Sequence, residues 1–106
     1  MSRLSDIIGT DIHAWEVAYR VHATRRMFQR GIEEHELLFI LENGRVIEEY
    51  EKDLPFPSLL LNGRTPKGRT LHVVVAIDAS GKSLFVITTY EPDSSKWTDD
   101  FSRRTS

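Results

Sequence analysis

At 106 residues with 40% hydrophobic side chains, the chain is sized for one domain, with room for a single core. Fourteen Lys and Arg stand against 16 Asp and Glu, a net charge of −2 that argues against a protein gripping nucleic acid by overall positive charge. With no cysteine, disulfide scaffolds, thiol catalysis and Cys-ligated zinc are excluded, and with no long apolar run the chain reads as soluble and cytoplasmic.

The net value hides a block layout. Residues 20–30 carry Arg20, Arg25, Arg26 and Arg30 without an acid, whereas residues 33–53 carry eight acids against Arg45 and Lys52. Arg64, Lys67 and Arg69 add a second basic patch, so the molecule is expected to be bipolar.

In chain order, a short helix is expected over 5–13 on the Ile8–Ile12 seam, with Gly9 weakening it. A second helix is expected over 21–29, with Val21, Met27 and Phe28 turned to the core and Arg30-Gly31 as a glycine C-cap. A third follows at once: Glu33, Glu34 and Glu36 suit the positive end of its dipole, Leu37 to Leu41 fill its body, and Asn43-Gly44 stops it.

Beyond Gly44, short Val-, Ile-, Leu- and Thr-rich runs divided by Pro and Gly predict strands near 45–50, 58–62, 70–78 and 83–90. Pro55-Phe56-Pro57-Ser58 reads as a rigid entry into the second of them. The loop Asp78-Ala79-Ser80-Gly81-Lys82 fits a three-residue hairpin with Gly81 in the left-handed position. Asp78 would then face Lys82 and His72 would face Thr88. His72, Val74, Val86, Thr88 and Tyr90 would share one face, with Leu71, Val73, Val75, Phe85 and Ile87 on the other. Trp97 and Phe101, at i, i+4, would dock one helical turn, with the core running over about 14–97, the tail 98–106 flexible and its last five residues fraying. The expected fold is α+β, with N-terminal helices on one face of a mainly antiparallel four-stranded sheet.

Three groups of residues carry chemistry. His22, Arg26 and Arg30, at i, i+4, i+8, form one helix stripe roughly 12 Å long. Guanidinium forks match phosphate oxygens, and a neighbouring histidine exchanges a proton near neutral pH. A solvated helix face paired with the acids of 33–53 is the competing reading. His72 breaks an apolar strand and must either find partners within the sheet or face a cleft. Arg64, Lys67 and Arg69, around Pro66 and Gly68, could hold a polyanion from a loop. No phosphate loop, HExxH or GxSxG is present, and in Glu33-Glu34-His35-Glu36 consecutive side chains point in different directions; neither metal nor cofactor is expected.

The run His22-Ala23-Thr24-Arg25-Arg26-Met27-Phe28-Gln29-Arg30-Gly31-Ile32 is followed by Leu41-Glu42-Asn43-Gly44, Leu71-His72-Val73-Val74-Val75 and Val86-Ile87-Thr88-Thr89-Tyr90-Glu91-Pro92. In this order these blocks resemble the domain of unknown function family 4258 over about Val21 to Trp97. The resemblance implies a relative of the bacterial toxin ribonucleases, the fold group of RelE-like toxins, barnase and colicin nuclease domains. It further implies metal-independent RNA cleavage and an antitoxin-like protein partner; neither a DNA nor a membrane partner is expected. The family pattern falls on His22, Arg26, Arg30, His72, Thr88 and Tyr90. His22 or His72 would take the 2′-hydroxyl proton, Arg26 and Arg30 would steady the phosphate, Tyr90 would serve the leaving oxygen, and Arg64 and Arg69 would hold the flanking backbone. The alternative is a non-catalytic protein- or RNA-binding module on the same scaffold, and the oligomeric state is left open.

Overall fold

The computed structural model describes residues 2–98 and 100–105. Helix α1 (Leu4–Ile8) begins where the Asp6 carboxylate accepts the Arg3 N–H at 2.9 Å and ends at Gly9, whose φ of 76° is left-handed. The helix expected over 5–13 is therefore cut at its glycine. A 3₁₀ turn (Ile12–Ala14) follows, the Asp11 side chain capping the His13 N–H.

The chain then forms a strand that the sequence reading left out, β1 (Glu16–Tyr19). Trp15, Val17 and Tyr19 pack toward the core, the period of two that defines a strand. Helix α2 (Val21–Arg30) closes on Gly31 at φ 62°, with Ile32 N–H donating to the Met27 carbonyl at 2.8 Å. Its inward residues are Ala23 and Met27. Val21 and Phe28, expected in the core, are 71% and 90% exposed, because Ala23 and Met27 at i, i+4 already define the face that packs on the sheet.

Helix α3 (Glu34–Asn43) starts with a capping box in which Glu36 returns to the Glu33 N–H. It buries Leu37, Ile40 and Leu41. Gly44 ends it with φ −69°, so left-handed freedom is not its role. A Cβ there would lie 2.5 Å from the Ile40 carbonyl oxygen, which makes the residue a close-approach glycine.

Strands β2 (Arg45–Tyr50), β3 (Ser58–Arg64), β4 (Thr70–Asp78) and β5 (Ser83–Tyr90) complete a sheet of order β1-β5-β4-β3-β2. The fold is α+β, but the sheet has five strands rather than the expected four and is mixed, since β1 runs parallel to β5.

The hairpin register also differs. Asp78 faces Ser83, and it is Lys82, at φ 51°, that takes the left-handed position. Gly81 is needed for space: the Asp78 carboxylate accepts its N–H at 3.0 Å and fills the volume a Cβ would occupy. A bulge at Ile87 then places Val75 opposite Val86 but Val74 opposite Thr88, so His72 faces Tyr90 rather than Thr88. His72, Val74, Thr88 and Tyr90 still share a face. Val86, expected there, is in the core, while Phe85 takes the His72 side and stacks on Phe56.

On the helix side of the sheet, Leu59, Leu61, Leu71, Val73, Val75, Leu84 and Val86 meet α3 and α2. On the opposite face the described C-terminal residues pack over Asn62 and His72 and form a small hairpin instead of a helical turn. Trp97 bridges to Arg104, and Thr105 N–H reaches back to the Lys96 carbonyl at 2.9 Å. Residues 102–105, expected to fray, are thus tied to the body, and Ser106 lies outside the described residues. Among the described residues no helix is long and apolar enough to cross a membrane.

Candidate functional site: a cationic cleft beside strand β5

Strand β1 pairs with β5 only as far as Tyr19 opposite Val86. The next residue, Arg20, donates its N–H to the Val86 carbonyl at 2.9 Å, and α2 begins there. Helix α2 therefore flanks the part of β5 that β1 leaves unpaired, which brings its polar stripe next to Thr88 and Tyr90. The result is an open cleft of about 440 Å³ lined by His22, Arg26, Arg30, Thr88, Tyr90, Glu91, Asp93, Lys96, Trp97 and Arg104.

Its electrostatics favour an anion. Among the described residues, no carboxylate lies within ion-pair distance of Arg26, Arg30 or Lys96. The two acids in the lining are already engaged. Glu91 pairs with Arg69, and Asp93 accepts both the N–H and the hydroxyl of Ser95, which hold its carboxyl below the usual range. Arg26 donates its Nε–H to His22 Nε2 at 3.3 Å. In that contact Nε2 is the acceptor, which assigns the ring hydrogen to Nδ1. A phosphate would give that guanidinium a better acceptor and release Nε2.

Tyr90 links the cleft to the sheet interior. His72 Nε2 lies 2.8 Å from the Phe101 carbonyl, an acceptor, so Nε2 carries the proton and Nδ1 accepts the Tyr90 hydroxyl at 3.4 Å. The Trp97 ring meets His72 edge-on at 4.4 Å and seals it, leaving the imidazole fully buried. Burial pushes the His72 pKa down, opposed by its bond to Phe101 and by Glu48. Burial also pushes the Tyr90 hydroxyl up.

The sequence-derived residues thus separate into two sets. His22, Arg26, Arg30, Thr88 and Tyr90 converge on the cleft. His72 lies behind it and does not reach its surface, so direct proton transfer from a ligand in the cleft to His72 is blocked by Trp97 and Tyr90.

Arg69, expected to hold substrate, is instead a bracket. Its guanidinium donates to the carbonyls of Arg30 and Gly31, pairs with Glu91, and lies 3.7 Å from the buried Glu36. With its donors committed to the α2–α3 junction, it is not free for a ligand. Arg64, its Nε–H bonded to the Gly68 carbonyl at 3.0 Å, opens with Arg45 and Asn62 on a separate cavity of about 430 Å³. In Glu33-Glu34-His35-Glu36, Glu36 is buried in its capping box while the His35 ring and the Glu33 carboxylate meet at 3.1 Å on the surface.

Lys96 and Arg104 belong to the cleft and are not among the sequence-derived residues, because both lie beyond Pro92 in a polar segment with no apolar periodicity to place it. The signal available was Trp97 followed by Arg103-Arg104, an aromatic able to anchor a basic segment; Arg104 lies 4.7 Å over the Trp97 ring and reaches Glu48.

A single mixed sheet with its helices beside a cation-lined cleft defines the class of this protein. The chain belongs to the domain of unknown function family DUF4258, whose model matches residues 19–91. No curated protein and no solved structure matches it significantly.

Proposed function

We propose that the cleft binds the phosphodiester backbone of RNA and cleaves it without a metal, as a toxin-type ribonuclease. The observation that carries this reading is the convergence of Arg26 and Arg30, with no carboxylate in ion-pair distance among the described residues, on the same cleft as His22 and Tyr90. The nuclease reading follows what the family resemblance implies, a relationship to the RelE, barnase and colicin nuclease group.

A bound phosphate draws Arg26 off His22. The freed Nε2 takes the 2′-hydroxyl proton, the 2′-oxygen attacks phosphorus, and Arg26 and Arg30 balance the charge gathering on the phosphoryl oxygens. The departing 5′-oxygen, far more basic than a phenolate, takes the Tyr90 proton, leaving a 2′,3′-cyclic phosphate and a 5′-hydroxyl. Solvent then restores Tyr90 and deprotonates His22. His72 acts as a positioning residue, holding the Tyr90 hydroxyl through Nδ1. Thr88 and Lys96 line the backbone path, and a protein inhibitor would silence the cleft by presenting carboxylates to the same cations.

The test is incubation of the chain with a short RNA and its 2′-O-methyl twin in the presence of a chelator, beside His22→Gln and Arg26→Ala. Cyclic-phosphate ends formed only from the 2′-hydroxyl RNA, and lost in both variants, support the mechanism. Binding of both oligomers without cleavage supports the second reading, a non-catalytic RNA-binding module. That reading is favoured by one observation, the complete burial and saturation of His72.

A further inference from the structure

The strand register aligns Arg45, Asn62, His72 and Tyr90 side by side across β2, β3, β4 and β5, on the face opposite the core. The row has a cavity at each end. The cationic cleft lies at Tyr90, and the second cavity lies at Arg45, Asn62 and Arg64. Among the described residues the C-terminal segment lies between them, Trp97 and Arg104 walling one and Asp100, Phe101 and Ser102 the other.

The groups this hairpin offers to the row are specific. Asn62 Nδ2 donates to the Asp100 carbonyl at 3.0 Å, His72 Nε2 donates to the Phe101 carbonyl at 2.8 Å, and the Trp97 ring lies against the imidazole. An aromatic plane flanked by hydrogen-bond acceptors, carbonyl oxygens or ring nitrogens, is also what a nucleobase offers to a protein. The fit is incomplete, since among the described residues no donor reaches the buried Asn62 Oδ1. A base edge carrying an N–H beside its acceptor would satisfy both ends of that amide, which the described residues of the hairpin do not. The hairpin also holds Phe101 at φ 60°, in the left-handed region, to present its carbonyl to His72.

We infer that the two cavities are the ends of one RNA-binding groove, and that the C-terminal hairpin is an intramolecular cover whose place over Asn62 and His72 is taken by an unstacked base of the bound strand. The inference rests on the RNA-binding reading of the cleft and adds to it the seat of a base and the means by which the free protein is held closed. Glu48 is the latch on the β2 side, through its pair with Arg104 at 3.3 Å, and it lines neither end of the groove.

The test uses the full chain with two 2′-O-methyl octamers, oligoadenylate and an abasic ribose-phosphate oligomer of equal length, neither of which offers a 2′-hydroxyl. The readouts are affinity and the NMR signal of the His72 Nε2 proton, which is protected from exchange while bonded to Phe101. Oligoadenylate is expected to bind at least about threefold more tightly than the abasic oligomer and to abolish protection of that proton. Glu48→Gln is expected to raise oligoadenylate affinity about threefold. Oligoadenylate binding that Arg26→Ala weakens, with the His72 proton still protected and no preference over the abasic oligomer, overturns the cover and leaves the cleft reading standing. Absence of binding of either oligomer to both wild type and Glu48→Gln overturns both.

Discussion

His72 and Phe101, 29 residues apart, are joined by a 2.8 Å hydrogen bond from the imidazole Nε2 to the backbone carbonyl. That bond fixes the tautomer of a fully buried histidine and leaves Nδ1 free to accept the Tyr90 hydroxyl at the edge of the cleft. It also anchors the C-terminal hairpin to the centre of the sheet. One side chain in the middle of β4 therefore couples the packing of the tail to the geometry of the cleft.

Because His72 is held neutral, folding and protonation oppose each other. Its folded pKa lies below the unfolded value of about 6.5, since burial outweighs the Phe101 bond and the Glu48 charge, with Arg104 adding to the depression. The unfolded chain then binds the proton first as pH falls, so stability is full above about pH 6.5 and declines as pH drops toward the folded pKa. Thermal melts from pH 7.5 to 5 are expected to show a falling Tm, and the fall should be shallower in His72→Gln. Equal slopes in the two proteins would mean that other groups set the dependence.

Arg69 and Arg64 look alike in the sequence and should behave oppositely. Removing Arg69 leaves the 5%-exposed Glu36 without its cation and two carbonyls at the α2–α3 junction without donors. Arg69→Ala is expected to cost about 2–4 kcal/mol in urea unfolding. Arg64, exposed and bonded only to its own loop, should cost less than about 0.5 kcal/mol on truncation.

The contrast shows where sequence reading stops. The apolar periodicity placed α2, α3 and the four antiparallel strands, because burial of Leu37, Ile40, Val73 and Val75 is written in their spacing. It missed β1, whose four residues Glu16–Tyr19 carry only two inward side chains and pair in parallel with a strand almost seventy residues on. It placed the hairpin register two residues out at His72 because one shift comes from Lys82 rather than Gly81 taking the left-handed position, and the other from the bulge at Ile87. Of the site, the α2 stripe was legible because i, i+4 spacing is local. The burial of His72 and the bracketing role of Arg69 depend on segments distant in sequence, which no local pattern encodes.

Two glycines separate space from conformation. Gly68 has φ 87° and nothing near its missing Cβ, so Gly68→Ala should cost about 1 kcal/mol, the strain of a left-handed alanine. Gly44 has an ordinary φ, yet a Cβ would lie 2.5 Å from the Ile40 carbonyl and 3.2 Å from that of Asn62, both backbone atoms. Gly44→Ala should therefore be the more damaging change, by about 1–3 kcal/mol of overpacking, and guanidinium melts of the two variants decide the order.

The cleft makes a prediction in which stability and binding part company. Arg26 is half-buried and Arg30 exposed, and neither has an acid partner among the described residues, so truncating either should move stability by no more than about 0.5 kcal/mol. A charge-assisted contact to phosphate is worth about 1.5–3 kcal/mol, so the same truncations should weaken binding of a 2′-O-methyl RNA octamer roughly 10- to 100-fold. The salt dependence supplies the second signature: each lost phosphate contact should lower the slope of log K against log salt by about 0.7 for a single strand. If both variants lose affinity while keeping the wild-type slope, the arginines shape the cleft without touching the backbone. A slope that falls in each single variant, and falls further in the double, places both guanidinium groups on phosphates.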